Sequence, residues 1–180
     1  MREQLAASVP DVAALDGTAE AVPLDDGSVD AVTVAQAFHW FDPGAALVEV
    51  ARVLRPGGGL GLIWNERDTS VPWVADLSRM IRWDERGRWQ VPYTVEEDWA
   101  ARIDALGAPF TPVRRYDTTH RQELDVETLV ARVLSTSYLA SQPAEAREEI
   151  AADVRALVAG FDEPFTLPYV TVVYWCHRTS

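Results

Sequence analysis

Small apolar residues crowd into two short runs of the chain, and between those runs apolar residues recur at helical spacing. Residues 29–37 carry Val29, Ala31, Val32, Val34, Ala35 and Ala37. That near-continuous pattern predicts a strand covered on both faces in a parallel sheet. Leu60 to Trp64 reads as a second such strand. Between them Asp42 is placed to cap a helix, with Pro43 at its first position, where a missing N–H costs nothing. Leu47, Val50, Ala51 and Leu54 share one side of that helix, which therefore packs one face on the sheet. Pro56 cannot continue the helix, and Gly57 supplies the positive φ expected to end it. A right-handed strand–helix–strand crossover is the natural outcome.

The flanking segments are more mixed. Residues 1–8 read as the tail of a helix, and Val12 to Leu15 as a short strand ending at Asp16-Gly17. Residues 18–28, with Pro23 and Asp25-Asp26-Gly27, form a polar turn. Further on, Pro72 opens a helix with Trp73, Leu77, Met80 and Ile81 on one side. Residues 84–99 are irregular, with Trp83, Trp89 and Trp99 along them, and Glu96 to Leu106 forms a short helix ended by Gly107. Val113 to Glu123 alternates as a partly exposed strand. Asp125 caps a helix bearing Leu129, Val130, Val133 and Leu134. Pro143 starts a longer one, with Ile150, Val154, Leu157 and Val158 inward and Gly160 at its end. Tyr169 to Trp175 is a final β-branched and aromatic strand. With no repeat, low-complexity tract or linker, the expectation is one α/β domain spanning residues 1–180.

Composition narrows the function classes. A formal charge of −12 argues against general nucleic-acid binding, which needs clustered positive charge. Arg79, Arg82, Arg86 and Arg88 do cluster, but Asp76, Asp84 and Glu85 interleave with them as on a solvated helix face. The same balance points to a small neutral or cationic substrate rather than an acidic one. All sixteen basic residues are arginines, which reflects coding bias more than chemistry. The single cysteine, Cys176, forbids an intrachain disulfide and offers no zinc motif. No apolar run approaches the ~20 residues of a membrane span, so no membrane association and a cytoplasmic location are expected.

Gly17-Thr18-Ala19-Glu20, Pro23-Leu24 and the run from Gly27 to Val32 stand in a fixed order with two further motifs. These are Phe38-His39-Trp40-Phe41 and Arg52-Val53-Leu54-Arg55-Pro56-Gly57-Gly58. The ordered set resembles the middle and back half of S-adenosylmethionine-dependent methyltransferases of the ubiquinone/menaquinone-biosynthesis type. Trp64-Asn65, Val71-Pro72-Trp73 and the final strand carry a weaker likeness. The resemblance implies a partial Rossmann-like sheet, mostly parallel with an antiparallel C-terminal strand and helices on both faces. It also implies methyl transfer from S-adenosylmethionine to a small-molecule acceptor. Carried over by position, Gly17, Thr18, Ala19 and Glu20 line the adenine, and Ala35 and Gln36 face the sulfonium side. A cleft beyond the carboxyl ends of parallel strands is where such folds bind ligands. Thr18 stands where the family often has an acid, and a hydroxyl can still bond the adenine amine.

Each of these residues has a plainer reading. Gly17-Thr18 can be a turn alone, and Glu20 a surface carboxylate. His39 suits a general base near neutrality, yet a histidine in an aromatic run before a helix also serves as packing. Trp40 and Phe41 read as core under the following helix. Gly57, Gly58 and Gly59 follow a helix instead of preceding one, so they cannot cradle a phosphate. Five of the seven tryptophans lie between Trp64 and Trp99, as a substrate cover or as ordinary packing.

Ahead of this unit the sequence holds no strand followed by a glycine-rich loop, the part that in the family holds the methionine end of the donor. The expectation is therefore an N-terminally truncated domain with the Val29 strand as a bare sheet edge. Donor binding by these residues alone is then weak or absent, and activity impaired. A non-catalytic scaffold that forms a homodimer through that edge is the alternative.

Overall fold

The crossover unit forms as its sequence pattern requires. In a computed structural model, which describes residues 2–81 and 98–179, β1 (Val29–Ala35) leads through a 3-10 turn at Phe38–Trp40 into α2 (Pro43–Val53) and then β2 (Leu54–Arg67). A short helix α1 (Arg2–Ser8) precedes them. Then come α3 (Pro72–Met80), α4 (Trp99–Ala105), β3 (Arg114–Leu124), α5 (Val126–Leu134), α6 (Ser137–Ala140), α7 (Ala144–Leu157) and β4 (Phe165–His177). The strands make one sheet in the order β1-β2-β4-β3, with β1 and β2 parallel and the C-terminal strand antiparallel.

The start of α2 follows the sequence closely. The Asp42 carboxylate accepts a hydrogen bond from the Ala45 amide at 3.0 Å, and Pro43 occupies the first turn. Its end does not. The backbone turns extended at Leu54, so Gly57 lies within β2 and not at a helix terminus. Its positive φ serves an irregularity in the pairing, where Val29 faces Leu54 but Ala31 faces Gly59. Gly58 is required there as well, because a Cβ would come within 3.0 Å of the Asp30 carbonyl oxygen.

Three other expectations change. Val12 to Leu15 is not a strand: no ladder partner reaches it among the described residues, and Val12 and Leu15 are half exposed. β1 is not covered on both faces, since Asp30, Ala31, Thr33 and Ala35 are exposed on a strand at the end of the sheet order. Trp40 is not core. The 3-10 turn points Phe38 inward, edge-on to Phe41 at 5.9 Å and to Trp99 at 5.4 Å, and leaves Trp40 53% exposed. The expected features at Arg82, Trp83, Asp84, Glu85, Arg86, Arg88, Trp89 and Glu96 lie outside the described residues.

The described residues divide into two compact units, one of residues 2–63, 98–115 and 174–179, the other of 64–81 and 116–173. In the first, the α2 side chains Ala46, Leu47, Val50 and Ala51 are buried, as their spacing predicts. In the second, α7 packs on α3 and α5. Val74, Leu77, Leu129, Val133, Val154 and Leu167 form its fully buried centre, each such side chain contributing roughly 1.5–3 kcal/mol. Among the described residues no helix is long and apolar enough to cross a membrane.

Candidate functional site

Gly17 to Glu20 form a tight reversal. Thr18 and Ala21 exchange both backbone hydrogen bonds, at 3.3 and 3.2 Å, which places Ala19 and Glu20 at the corner. Gly17 has no room for a side chain: a Cβ would lie 2.5 Å from Pro23 Cδ and 3.0 Å from the Ala21 oxygen. The segment that follows is tied to α2. The Val22 amide donates to Glu49 Oε1 at 2.7 Å. Arg52 donates to the carbonyls of Val22 and Leu24 at 3.0 and 2.9 Å, and to the Asp26 carboxylate at 2.6 Å. Both Glu49 oxygens accept from the same guanidinium. Those bonds from Arg52, helped by the Val22 amide, hold the Glu49 carboxyl down at about 2 and push the Arg52 guanidinium further up. Gly27 closes the segment by donating its amide to the Arg52 carbonyl.

Glu20 is exposed, as the plainer reading of a surface carboxylate requires, and makes one bond to the backbone. Its Oε1 accepts the Asp42 amide at 3.1 Å, which brings the reversal to the first turn of α2. The chain reaches that point from β1 through Gln36, whose φ of 54° lies in the left-handed region seldom taken by side chains other than glycine. The Gln36 amide donates to the Ile63 oxygen at 2.9 Å, extending the β1–β2 ladder one step at the carboxyl end. Ala35 and Gln36 are both exposed there. Thr18 is exposed too, and its hydroxyl makes no hydrogen bond among the described residues. His39 is half-buried in the 3-10 turn, its ring tilted against Trp40 at 5.1 Å.

The structure thus joins Glu20 to the start of α2, with Ala35 and Gln36 at the end of the preceding strand. The residues that hold the reversal in place, Glu49 and Arg52, were not singled out from sequence as functional. Their spacing of three on a polar helix face signals an ion pair, but nothing local reveals carbonyl partners some thirty residues earlier. Cys176 is a buried free cysteine, and burial pushes its thiol up to about 11. Among the described residues, cavities also open away from this reversal. One, of about 470 Å³ and shallow, is lined by Glu123, Asp125, Thr128 and Glu163. Another, of about 320 Å³, lies between Arg114, Trp175 and His177.

Comparison with known proteins gives these residues a context. Residues 1–62 match the methyltransferase domain family. An uncharacterized methyltransferase of Mycobacterium tuberculosis is 44% identical over 177 residues, covering 96% of this chain and 68% of the relative. An uncharacterized methyltransferase-like protein of Schizosaccharomyces pombe is 37% identical over 154 residues, 86% of this chain and 58% of that protein. Among solved structures, the YcgJ protein of Bacillus subtilis aligns with a TM-score of 0.52 at 19% identity, over 99% of this chain and 76% of that one. A structure described as a methyltransferase from an antibiotic biosynthesis pathway in Anabaena variabilis aligns with a TM-score of 0.58 at 17% identity, over 88% and 71%. At those identities the likeness of structure bears on the fold alone.

Proposed function

Because the chain belongs to the methyltransferase domain family, we propose that it moves a methyl group from S-adenosylmethionine to a small-molecule acceptor. Gly17, Thr18, Ala19 and Glu20 hold the adenine end of the donor, and Ala35 and Gln36 lie toward its sulfonium. One observation carries the reading: the Glu20 carboxylate, bonded to the Asp42 amide, ties the tight reversal to the segment that leaves the carboxyl end of β1. The residues fit the donor. The exposed Thr18 hydroxyl makes no hydrogen bond among the described residues and can accept from an exocyclic amine, and Ala19 and Ala35 leave room for a ring. Bound there, S-adenosylmethionine supplies an electrophilic methyl group. The protein's part is to position the reactants and exclude water. His39 serves as a base only for an acceptor that attacks through carbon or hydroxyl oxygen.

Donor binding by these 180 residues alone is weak. The sequence ahead of Gly17 carries no glycine-rich loop after a strand, and two or three missing charge-assisted hydrogen bonds cost about 4–6 kcal/mol. That is on the order of 10³- to 10⁴-fold in affinity. Saturation-transfer NMR with S-adenosylhomocysteine suits such weak binding. The adenine protons should receive more saturation than those of the homocysteine end, and Ala35→Glu should abolish the effect. Absence of adenine saturation, or a signal confined to the homocysteine end, would overturn the assignment. A second reading, a non-catalytic scaffold that pairs through a sheet edge, is favoured by the position of β1 at the end of the strand order.

A further inference from the structure

Strand β3 ends the sheet order opposite β1. Of its eleven residues, Arg114 to Arg121 and Glu123 are exposed, Gln122 is half-buried and Leu124 is buried. Both faces of the strand therefore meet solvent along most of its length. Long edge strands invite pairing, and proteins commonly blunt them by shortening, by proline or by charge. β3 is long and has no proline. Among the described residues, no loop, turn or cap bonds its backbone outside the sheet. What it carries is charge of both signs, Arg114, Arg115 and Arg121 against Asp117 and Glu123. In a chain of net charge −12 this strand is locally close to neutral, so two copies meet little repulsion there.

The order of those charges matters more than their number. An antiparallel pair of identical strands has a twofold axis at one residue, which then faces its own copy. The backbone lets any residue take that place, because hydrogen-bonded and non-hydrogen-bonded pairs simply alternate. Side chains decide between the registers. With Thr119 at the axis, Arg115 faces Glu123 and Asp117 faces Arg121, each twice by symmetry. Tyr116 then faces Gln122, and Thr118 faces His120. One step either way is unfavourable. With Thr118 at the axis Arg115 faces Arg121, and with His120 there Asp117 faces Glu123. Like charges directly opposite destabilise a strand pair, and unlike charges stabilise it. The complementarity lies in the order of charges along the strand, whatever bonds those side chains make within a single copy. Arg115, for example, lies over the Tyr174 ring, 5.7 Å from its centre.

We propose that β3 is an edge at which two copies of this chain pair, antiparallel through residues 114–124, with Thr119 facing its own copy across a twofold axis. Main-chain hydrogen bonds along the edge supply the attraction, and the cross-strand ion pairs fix the register. The two four-stranded sheets then continue as one. This surface is distinct from β1, at the other end of the sheet order, and the pairing does not depend on the methyl-transfer reading.

The experiment joins disulfide trapping to a charge exchange on the 180-residue chain. Cys176 is buried, so a disulfide-linked dimer reports an introduced thiol. Under mild oxidation Thr119→Cys should form such a dimer about tenfold faster than Tyr116→Cys, whose two thiols lie about 20 Å apart in this register. In sedimentation equilibrium Asp117→Arg and Arg121→Asp should each weaken dimerisation about tenfold or more, and the two together should restore it. All four positions are exposed, and far-ultraviolet circular dichroism checks that each variant keeps the fold. Three results would overturn the proposal: a chain that stays monomeric at about 1 mM, trapping of Tyr116→Cys as fast as that of Thr119→Cys, or association that neither charge change alters. Pairing at β1, or at β3 in another register, gives one of the last two.

Discussion

Gly17 and Glu49 act on the same loop by different means. Gly17 lets the backbone close on Pro23, so Gly17→Ala must push the ring and the Ala21 carbonyl apart. Forced overpacking of this kind costs roughly 1–3 kcal/mol, measurable as a lower urea midpoint with little change in slope. Glu49 contributes through charge. Its folded pKa, about 2, lies below the ordinary 4.5 because Arg52 and the Val22 amide bond the carboxylate. The stabilisation it gives is complete above pH 4.5 and fades as pH falls from there toward 2. Glu49→Gln should therefore flatten the acid limb of a plot of melting temperature against pH over that window, while the curve near neutrality keeps its shape. An unchanged acid limb would mean that the ion pair does not hold the loop. Thr18 and Glu20 were visible in the sequence as residues but not as a geometry. The bond from the Asp42 amide to Glu20 joins positions that no spacing rule connects.

At the level of elements, the sequence was most legible where local chemistry and burial agree. The Asp42-Pro43 start, the buried stripe of α2, the Asp125 cap and the α7 side chain Val154 all follow from spacing and capping alone. It was least legible where pairing decides. Val12 to Leu15 has the residues of a strand but no ladder to join among the described residues, and β2 begins at Leu54 because Leu54 already pairs with Val29 and Gly59 with Ala31 of β1. Trp40 and Phe38 differ in burial through a 3-10 turn that no apolar period announces. The cap itself offers a test. Asp42→Ala removes the bond to the Ala45 amide and should cost about 1 kcal/mol, read from denaturant unfolding. A larger loss would indicate that the Glu20 tie to the same residue fails with the cap.

For the whole molecule, the scaffold reading sets two opposed features against each other in any association of copies. β1 ends the sheet order and offers a strand edge, while a charge of −12 keeps copies apart. Screening shortens the reach of that repulsion to a few ångströms near 1 M salt. If the scaffold reading holds, sedimentation velocity should show a mass that rises with both protein concentration and salt. A mass independent of salt would remove the edge as a self-association surface. The order in which the molecule loosens follows from the grip of Arg52 on the loop beside it. Residues 2–8 bury no side chain and should exchange their amide protons first. The amides of Val22 and Gly27, although they lie in an irregular segment, are bonded to Glu49 and Arg52. They should exchange at the pace of α2, so that loop and helix open as a single cooperative body.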